Sequence, residues 1–487
     1  MAKTLKESAM LVRRTHAATV DLSAQAYHIA LIVVLVLVGL CGCSAMETPE
    51  FERPQLPQKS NWSAELAGEQ RIDLKWWHGF DEPMLDALME QAIGANLDLA
   101  LLAARTEVAG SQISQARARL LPILNFGSRT DTSNISGSTN LPTTNKIGVG
   151  GDMLWEIDVW GKARKGVAAQ KAAYAASEAD WRAGYLVMAS NVSSAYFQVR
   201  QSDQQLNEQQ AAIDRAEEIL SMQQQMHSRG LVAETIVLQQ QAELHRLHNQ
   251  KLELERVRGL TVNALATLVG EVAGEFSVPH TAPWGNVEPI AVPIGLPSQM
   301  LSRRPDLVAA EYRLLQAVQL EGQSRLAQMP TIGLTGLGGS ASFGLSDLLK
   351  TWTAGLSSVV QFPVFNPNVR AQIKVSEAQV QVAEAQYRRA VFAAFEEVEN
   401  VLVNLNSRRQ QRSELTSRRN RLQTVQERTL VQLELGLISR LEVLERERSL
   451  LDAEQALLAN RWQLVDDTVA LFKAVGGGWD PDIVAQR

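Results

Sequence analysis

Between Ile147 and Val159 the chain alternates. Ile147, Val149, Met153, Trp155, Ile157 and Val159 share one face with Gly151, and Asp152, Glu156 and Asp158 share the other. A two-residue period of this kind marks a β-strand whose two sides meet different media. A second stretch is in the same phase, with Trp352, Ala354, Leu356, Val360, Phe362 and Val364 in step with Ser358. Lipid outside and water inside produce this alternation in a transmembrane barrel, and a half-buried strand in a soluble sheet produces it too. With their neighbours the two stretches predict four strands, at about 123–134, 147–160, 331–342 and 353–365. Pro363 falls where the last strand turns toward a helix, a position that needs no backbone donor.

The runs between have another character. Residues 368–435 hold neither Gly nor Pro, and residues 162–229 hold no Pro and only Gly166 and Gly184. Both are rich in Ala, Gln, Glu, Arg and Val with few aromatics, which suits packing against neighbouring helices on more than one side. Helical runs beyond about 25 residues favour coiled coil over a globular helix. At about 1.5 Å per residue each would extend ~100 Å, so an elongated molecule is expected. Gly230 and Gly436 can take the left-handed conformation that ends a helix, and shorter helices, roughly 232–270 and 440–475, return along their partners as hairpins.

These landmarks occur twice. Gln115-Ala116-Arg117, Leu121-Pro122 and Ile123-Leu124-Asn125-Phe126 correspond to Gln323-Ser324-Arg325, Met329-Pro330 and Thr331-Ile332-Gly333-Leu334. Gly230-Leu231-Val232 with Val237-Leu238 corresponds to Gly436-Leu437-Ile438 with Val443-Leu444, so the chain is internally duplicated at an offset near 206 residues. That period is far longer than the 20–50 residues of a solenoid. The expected organisation is a leader over 1–42, an extended segment over 43–80, a first repeat over 81–275, a linker over 276–297, a second repeat over 298–475 and a tail over 476–487. Four strands of this length cannot close a barrel when membrane barrels begin near eight strands. Two, three or four chains must therefore contribute to one barrel.

The leader changes the picture of where the chain works. An apolar run from Ile29 to Leu40 follows Lys3, Lys6, Arg13 and Arg14; its length fits a signal-peptide core and falls short of a spanning helix. Leu40-Cys41-Gly42-Cys43 resembles a bacterial lipobox, which implies that mature Cys43 is acylated, and Ser44 after it fits export to the outer membrane. The alternative is an inner-membrane anchor with two incidental cysteines. Cys41 and Cys43 are the only cysteines, so the body has no disulfide or thiolate metal site. A net charge of −6 without a basic face argues against nucleic acid as a partner.

More specific are Leu296-Pro297-Ser298-Gln299-Met300-Leu301-Ser302-Arg303-Arg304-Pro305-Asp306-Leu307 with Ala309, Ala310 and Glu311, and Trp155-Glu156-Ile157-Asp158-Val159-Trp160-Gly161-Lys162. An opening from Trp77 to Pro83-Met84-Leu85 and a closing Gly476-Gly477-Gly478-Trp479 complete the set. In these segments, across residues 72 to 480, the chain resembles the TolC-type outer-membrane factors, in the NodT-like lipoprotein branch that serves RND efflux. The resemblance implies a mixed α and β fold: a homotrimer with a twelve-stranded outer-membrane β-barrel continuous with a periplasmic α-helical barrel of coiled-coil hairpins. It also implies an inner-membrane RND transporter and a periplasmic adaptor, or membrane fusion, protein as partners, with outer-membrane lipid reached through acylated Cys43. Type I secretion and a non-conducting, envelope-spanning structural lipoprotein are the other readings. Locally, Ser298 is placed to cap a short helix, and Pro305 and Asp306 suit a first helical turn. Arg303-Arg304-Pro305-Asp306 reads as structural rather than as a substrate contact.

The resemblance further places a gate at the periplasmic tip, just after the second helical turn. Glu442 and Glu445 stand at positions where the family carries acidic residues facing the bore, three apart and able to share a helix face. Thr235 and Gln239 are polar candidates in the first half, where Ile236 replaces an expected acid. Carboxylates crowded in a narrow neck attract cations and raise one another's pKa. Arg440, Arg446 and Arg448 are positioned to form salt bridges that hold the tip shut. The other reading makes Glu442 and Glu445 ordinary solvated helix residues. Gly230, Leu231, Gly436 and Leu437 are the expected adaptor-docking tips.

His245 and His248 lie at helical spacing beside Glu243, and Met222, Met226 and His227 lie near the tip; hydrated helix faces account for both sets, so no metal site is assigned. No Walker loop, dinucleotide fingerprint or nucleophile elbow occurs. No enzymatic activity and no cofactor are expected, and transport must be powered by a partner.

Overall fold

The computed structural model describes residues 49–54, 62, 73–133, 144–280, 287–293, 297–343, 345–348 and 350–477. The expected leader, lipobox and acylated Cys43 lie outside the described residues, as do most of the 43–80 segment and the tail from 478. In order, the elements are α1 (Pro83–Ala95), α2 (Leu97–Ala118), β1 (Ile123–Ser133), β2 (Thr144–Ile157), α3 (Lys162–Ser228) and α4 (Glu234–Leu268). Then follow α5 (Pro297–Arg303), α6 (Pro305–Leu326), β3 (Thr331–Ser342), β4 (Thr353–Gln361), α7 (Pro367–Glu434) and α8 (Arg440–Ala474). The return helices α4 and α8 stand 206 residues apart at both ends, 234 against 440 and 268 against 474. Two compact units cut across the duplication: one holds Arg117–Gly166 with Val318–Glu377, the other Glu52–Ala116, Val167–Ala317 and the chain from Ala378.

The first unit is built on one antiparallel sheet in the order β1-β2-β3-β4. β1 and β4 therefore each keep one edge without a strand partner among the described residues. The register puts Leu124 beside Met153, Met153 beside Gly336 and Gly336 beside Leu356, so these side chains share one face with Phe126, Trp155, Leu334 and Val360. The other face carries Asn125, Arg129, Asp152, Glu156, Thr335 and Gln361 among glycines, with Ile123, Leu154, Leu337 and Val359 between them. β2 starts and ends three residues before its expected limits. β4 stops at Gln361, so Trp352, Phe362 and Val364 lie outside the strand.

One row across the polar face runs Gly127, Gly150, Gly339. A Cβ on Gly150 would sit 2.7 Å from the Gly338 carbonyl oxygen, and one on Gly339 would sit 2.7 Å from that of Val149. The strands approach here more closely than any side chain permits.

Strand-to-helix corners explain the tryptophan motif. Trp155 donates its indole N–H to the Leu120 carbonyl at 3.0 Å, and Trp160 donates to that of Pro330 at 2.8 Å. The Asp158 carboxylate accepts the backbone N–H groups of Ala163 and Arg164, both at 3.0 Å, satisfying two orphan donors of α3. The corresponding corner of the second half uses Asn366, whose side-chain oxygen accepts from Asn368 N at 3.1 Å, with Pro367 in the first helical position.

In the second unit, buried Tyr387, Val391, Ala394, Val398, Leu402 and Leu405 on α7 recur at alternating spacings near four and three, and Ala169, Ala172, Ala176 and Ala179 on α3 do likewise. This is the seam of a coiled coil. Burying each large side chain contributes roughly 1.5–3 kcal/mol. An exposed i,i+4 pair such as Glu384–Arg388 contributes about 0.2–0.5 kcal/mol, so packing decides which face turns inward.

Other motifs resolve into packing. Trp76 stacks on Phe472 at 4.7 Å and Phe80 meets Phe197 edge-on. Tyr196 donates to Glu82 at 2.6 Å, and burial, aided by that carboxylate, pushes its phenol pKa up. Arg53 makes a bidentate pair with Glu311. Arg304 is buried, and its guanidinium donates to Asp306, Glu397 and the Ala474 carbonyl, each at 2.8 Å. Burial opposes its charge, but Asp306 and Glu397 outweigh burial and raise its pKa. Gly476, at φ 95°, brings its backbone so close that a Cβ would meet the Arg303 carbonyl oxygen at 2.8 Å. Thus Arg304 and Pro305-Asp306 tie the α5–α6 corner to the end of α8. α5 begins at Pro297, which places Ser298 inside its first turn rather than before it; the Ser298 side chain lies outside the described residues.

The glycine row carries a direct test. Gly150→Val should destabilise the folded protein by about 1–3 kcal/mol through forced overpacking. Gly355→Ala, where nothing lies within 4 Å of the added Cβ, should leave the melting transition nearly unchanged.

Candidate functional site

Both long helices end in the same hydrogen-bonded turn. Gly230 N–H bonds to the His227 carbonyl at 2.8 Å and Leu231 N–H to that of Met226 at 2.9 Å. Gly436 bonds to Leu433 and Leu437 to Gln432, both at 2.9 Å. With φ of 73° at Gly230 and 70° at Gly436 these are Schellman caps. Gly270 and Gly476, again 206 residues apart, close α4 and α8 in the same way. Each cap turns a leucine outward: Leu231 is 66% and Leu437 69% exposed. Among the described residues no element covers them.

The return helices start differently. Ser439 caps α8 by accepting the Glu442 N–H at 3.3 Å, which leaves the Glu442 carboxylate in the first turn, where the helix dipole favours an anion. Its counterpart at the start of α4 is Ala233, which has no side-chain cap. Thr235 and Gln239 are exposed one turn apart on α4.

Behind the tips, charges bind one hairpin to the other. Arg440 reaches Glu218 at 3.2 Å and Glu447 at 3.7 Å, and Arg215 reaches Glu447 at 3.5 Å. Arg448 and Arg246 both bind Glu243 at 2.7 Å. The hydrogen bond from Arg246, aided by the charge of Arg448 and opposed by burial, holds the Glu243 carboxyl below its ordinary range. A cavity of about 220 Å³ lies among α3, α4 and α8, lined in part by Arg215, Gln223, Glu243, Glu445 and Arg448.

Of the residues singled out from sequence, the fold brings Glu442, Glu445, Arg440 and Arg448 together at the start of α8. Glu445 lines the cavity and Glu442 is half-exposed, and neither carboxylate is ion-paired among the described residues. Arg440 and Arg448 do form ion pairs, but with Glu218, Glu447 and Glu243 rather than with Glu442 or Glu445. Arg446 pairs with no described residue. Sequence reasoning missed Arg215, Glu218 and Glu447. A one-turn ion pair such as Glu243–Arg246 is visible in spacing, whereas partners on another hairpin 222 residues away, as in Arg440–Glu218, leave no local trace. His245 and His248 are exposed on α4, and no cluster of three or more His, Cys, Asp or Glu suited to a metal occurs among the described residues.

On the sheet, one face is predominantly apolar and the other carries the charged side chains together with Ile123, Leu154, Leu337 and Val359, and a hollow of about 640 Å³ lies over the charged one, bordered by Gly127, Arg129, Gly148, Gly150, Gly339 and Gly355.

The family model described as outer membrane efflux protein matches residues 88–271 and 296–477, one segment in each repeat. Among curated relatives, the probable outer membrane lipoprotein SilC of Salmonella typhimurium is 28% identical over 93% of this chain and 99% of its own length. The pyoverdine export outer membrane protein OpmQ of Pseudomonas aeruginosa is also 28% identical, over 93% of this chain and 98% of its own. Among solved structures, the CmeC outer membrane channel of Campylobacter jejuni superimposes with a TM-score of 0.82 at 24% identity, covering 89% of this chain and 95% of that one.

The Glu243 pair makes the tip acid-sensitive. Because the folded-state pKa of Glu243 is depressed, its contribution is present above the ordinary carboxylate pKa of about 4.3 and is lost as pH falls through the lower folded value. Spin labels at positions 228 and 434 should give a narrow distance distribution at neutral pH that broadens on acidification below that ordinary value. Arg448→Ala should broaden it already at neutral pH.

Proposed function

The chain belongs to the outer membrane efflux protein family and serves as an outer-membrane exit channel for efflux, and we propose that it does so as a homotrimer. The observation that carries this reading is the four-stranded sheet with one predominantly apolar face, one face that carries the charges and, among the described residues, two unpaired edges. Hydrocarbon offers no hydrogen-bond partner, so only helices and closed barrels span a bilayer. Pairing β4 of one chain with β1 of the next, three times over, closes twelve strands with the apolar face toward lipid and the polar face toward the lumen. The paired hairpins of three chains supply twelve helices for the periplasmic tunnel.

In this reading the protein is a passive conduit. An inner-membrane RND transporter supplies the energy, and a periplasmic adaptor docks on the exposed tips Gly230-Leu231 and Gly436-Leu437. Acylated Cys43, outside the described residues, anchors the chain to outer-membrane lipid. Glu442 and Glu445, with Thr235 and Gln239 beside them, form the gate, and the ion pairs of Arg440 and Arg448 hold the hairpins in the closed position.

Two measurements test this. In planar bilayers the protein should pass a small, cation-preferring current, and Glu442→Ala with Glu445→Ala should raise the conductance several-fold; absence of current under every condition would favour a structural spacer. In cells, Leu231→Glu with Leu437→Glu should abolish efflux while the protein still reaches the outer membrane as a trimer. Unchanged sensitivity to exported compounds in that strain would remove the docking assignment.

A further inference from the structure

Arg129 stands apart on the polar face of the sheet. Its register neighbour on β2 is Gly148, and Ala341 follows on β3. One step toward the helical end of the strands lies the row Gly127, Gly150, Gly339, two members of which leave no room for a Cβ. A long cation therefore rises from a floor that carries almost no side chains and that cannot acquire them at Gly150 or Gly339. The Arg129 side chain is 83% exposed, and its only ion pair among the described residues is with Asp131 on the same strand, at 2.8 Å.

Charge along this face is unevenly distributed. On the side of the strand turns stand Arg129, Asp131 and, opposite Asp131 in register, Lys146, leaving one positive charge in excess per chain. On the helical side, Glu156 pairs with Lys162 and Asp158 with Arg164, Asp152 is held by the neutral Asn125 at 2.9 Å, and Arg119 lines the same hollow as Glu156 and Asp158, so neither sign is in excess there. The charge imbalance of this face therefore lies beyond the glycine row, on the side of the strand turns, and it is positive.

We propose that Arg129 is a specificity-determining residue of the outer lumen: repeated in each chain, it forms a cationic collar that attracts anionic solutes and the anionic groups of larger cargo at the exit end. This rests on the closed-barrel reading above, in which the polar face lines the lumen. Like charges arrayed on a low-dielectric wall focus their field into the pore and raise the local concentration of counter-charged solute. The bare glycine floor leaves each guanidinium room to lean toward passing cargo, restrained by its pair with Asp131. At physiological salt the field decays over about 8 Å, so the collar acts on solutes that pass near the wall. The exit end then prefers anions, opposite to the acidic periplasmic gate.

The test uses the full-length lipidated protein in planar bilayers at low ionic strength, with inositol hexakisphosphate as a polyanionic blocker added to one side at a time. Wild type should be blocked from the side of the strand turns, and high salt should relieve the block. Arg129→Ala should raise the half-blocking concentration roughly tenfold or more, as expected when a ring of charges is removed at low salt. Arg129→Lys should retain the block, and Asp131→Asn should strengthen it by freeing Arg129, a gain that misfolding cannot mimic. An Arg129→Ala channel that conducts and is blocked like wild type would overturn the proposal. If wild type itself carries no current, the barrel reading falls first and takes the proposal with it.

Discussion

Backbone amides and carbonyls along the free edges of β1 and β4 have no strand partner among the described residues, and a bilayer interior supplies none. Every larger feature of the molecule answers to that constraint. Four strands give one subunit two adhesive edges, so closure comes from identical copies. The alternation of side chains then sorts lipid-facing Phe126, Met153, Trp155 and Leu356 from lumen-facing Asn125, Arg129 and Glu156. Where β2 and β3 meet at Gly150 and Gly339, the backbones come so close that no room is left for a Cβ.

The helical part solves a different problem with the same duplicated plan. Helices of this length need lateral contact all along them. The heptad-spaced Tyr387 to Leu405 and the alanine stripe of α3 provide it, while Arg304 ties the α5–α6 corner to the end of α8. Near the tips the small cluster of Ile213, Ala216 and Leu247 is joined by buried Ile219, Val237, Val443 and Leu444. Arginine–carboxylate pairs between the hairpins are added there, and such contacts separate at lower cost than a packed core.

Features with a period or a backbone requirement could be read from sequence. The strand alternation, the glycine-ended helices and the 206-residue offset of Gly230 and Gly436 all follow from local rules. The family motifs could be recognised as well, but their physical roles could not. That Asp158 caps α3, that Trp160 bonds to Pro330 or that Arg304 spans to Glu397 depends on groups brought together from distant positions. Strand ends at Ile157 and Gln361 fell short of the alternation because apolar residues continue past the last ladder hydrogen bond into the corners. At the tip, the spacing of Glu442 and Glu445 was visible, whereas Glu218 and Glu243, which engage Arg440 and Arg448, are contributed by other helices.

The two hairpins are repeats, yet one return helix opens on Ser439, with its side chain bonded to the Glu442 amide, and the other opens on Ala233, with nothing in that role. A serine cap is worth about 1 kcal/mol relative to alanine, enough to change several-fold how often the first turn frays. Six helical tips around a trimeric mouth would then alternate stiff and soft. A contour that looks sixfold from the periplasm would have threefold mechanics, and the softer set would yield first under any partner that pushes on all six alike.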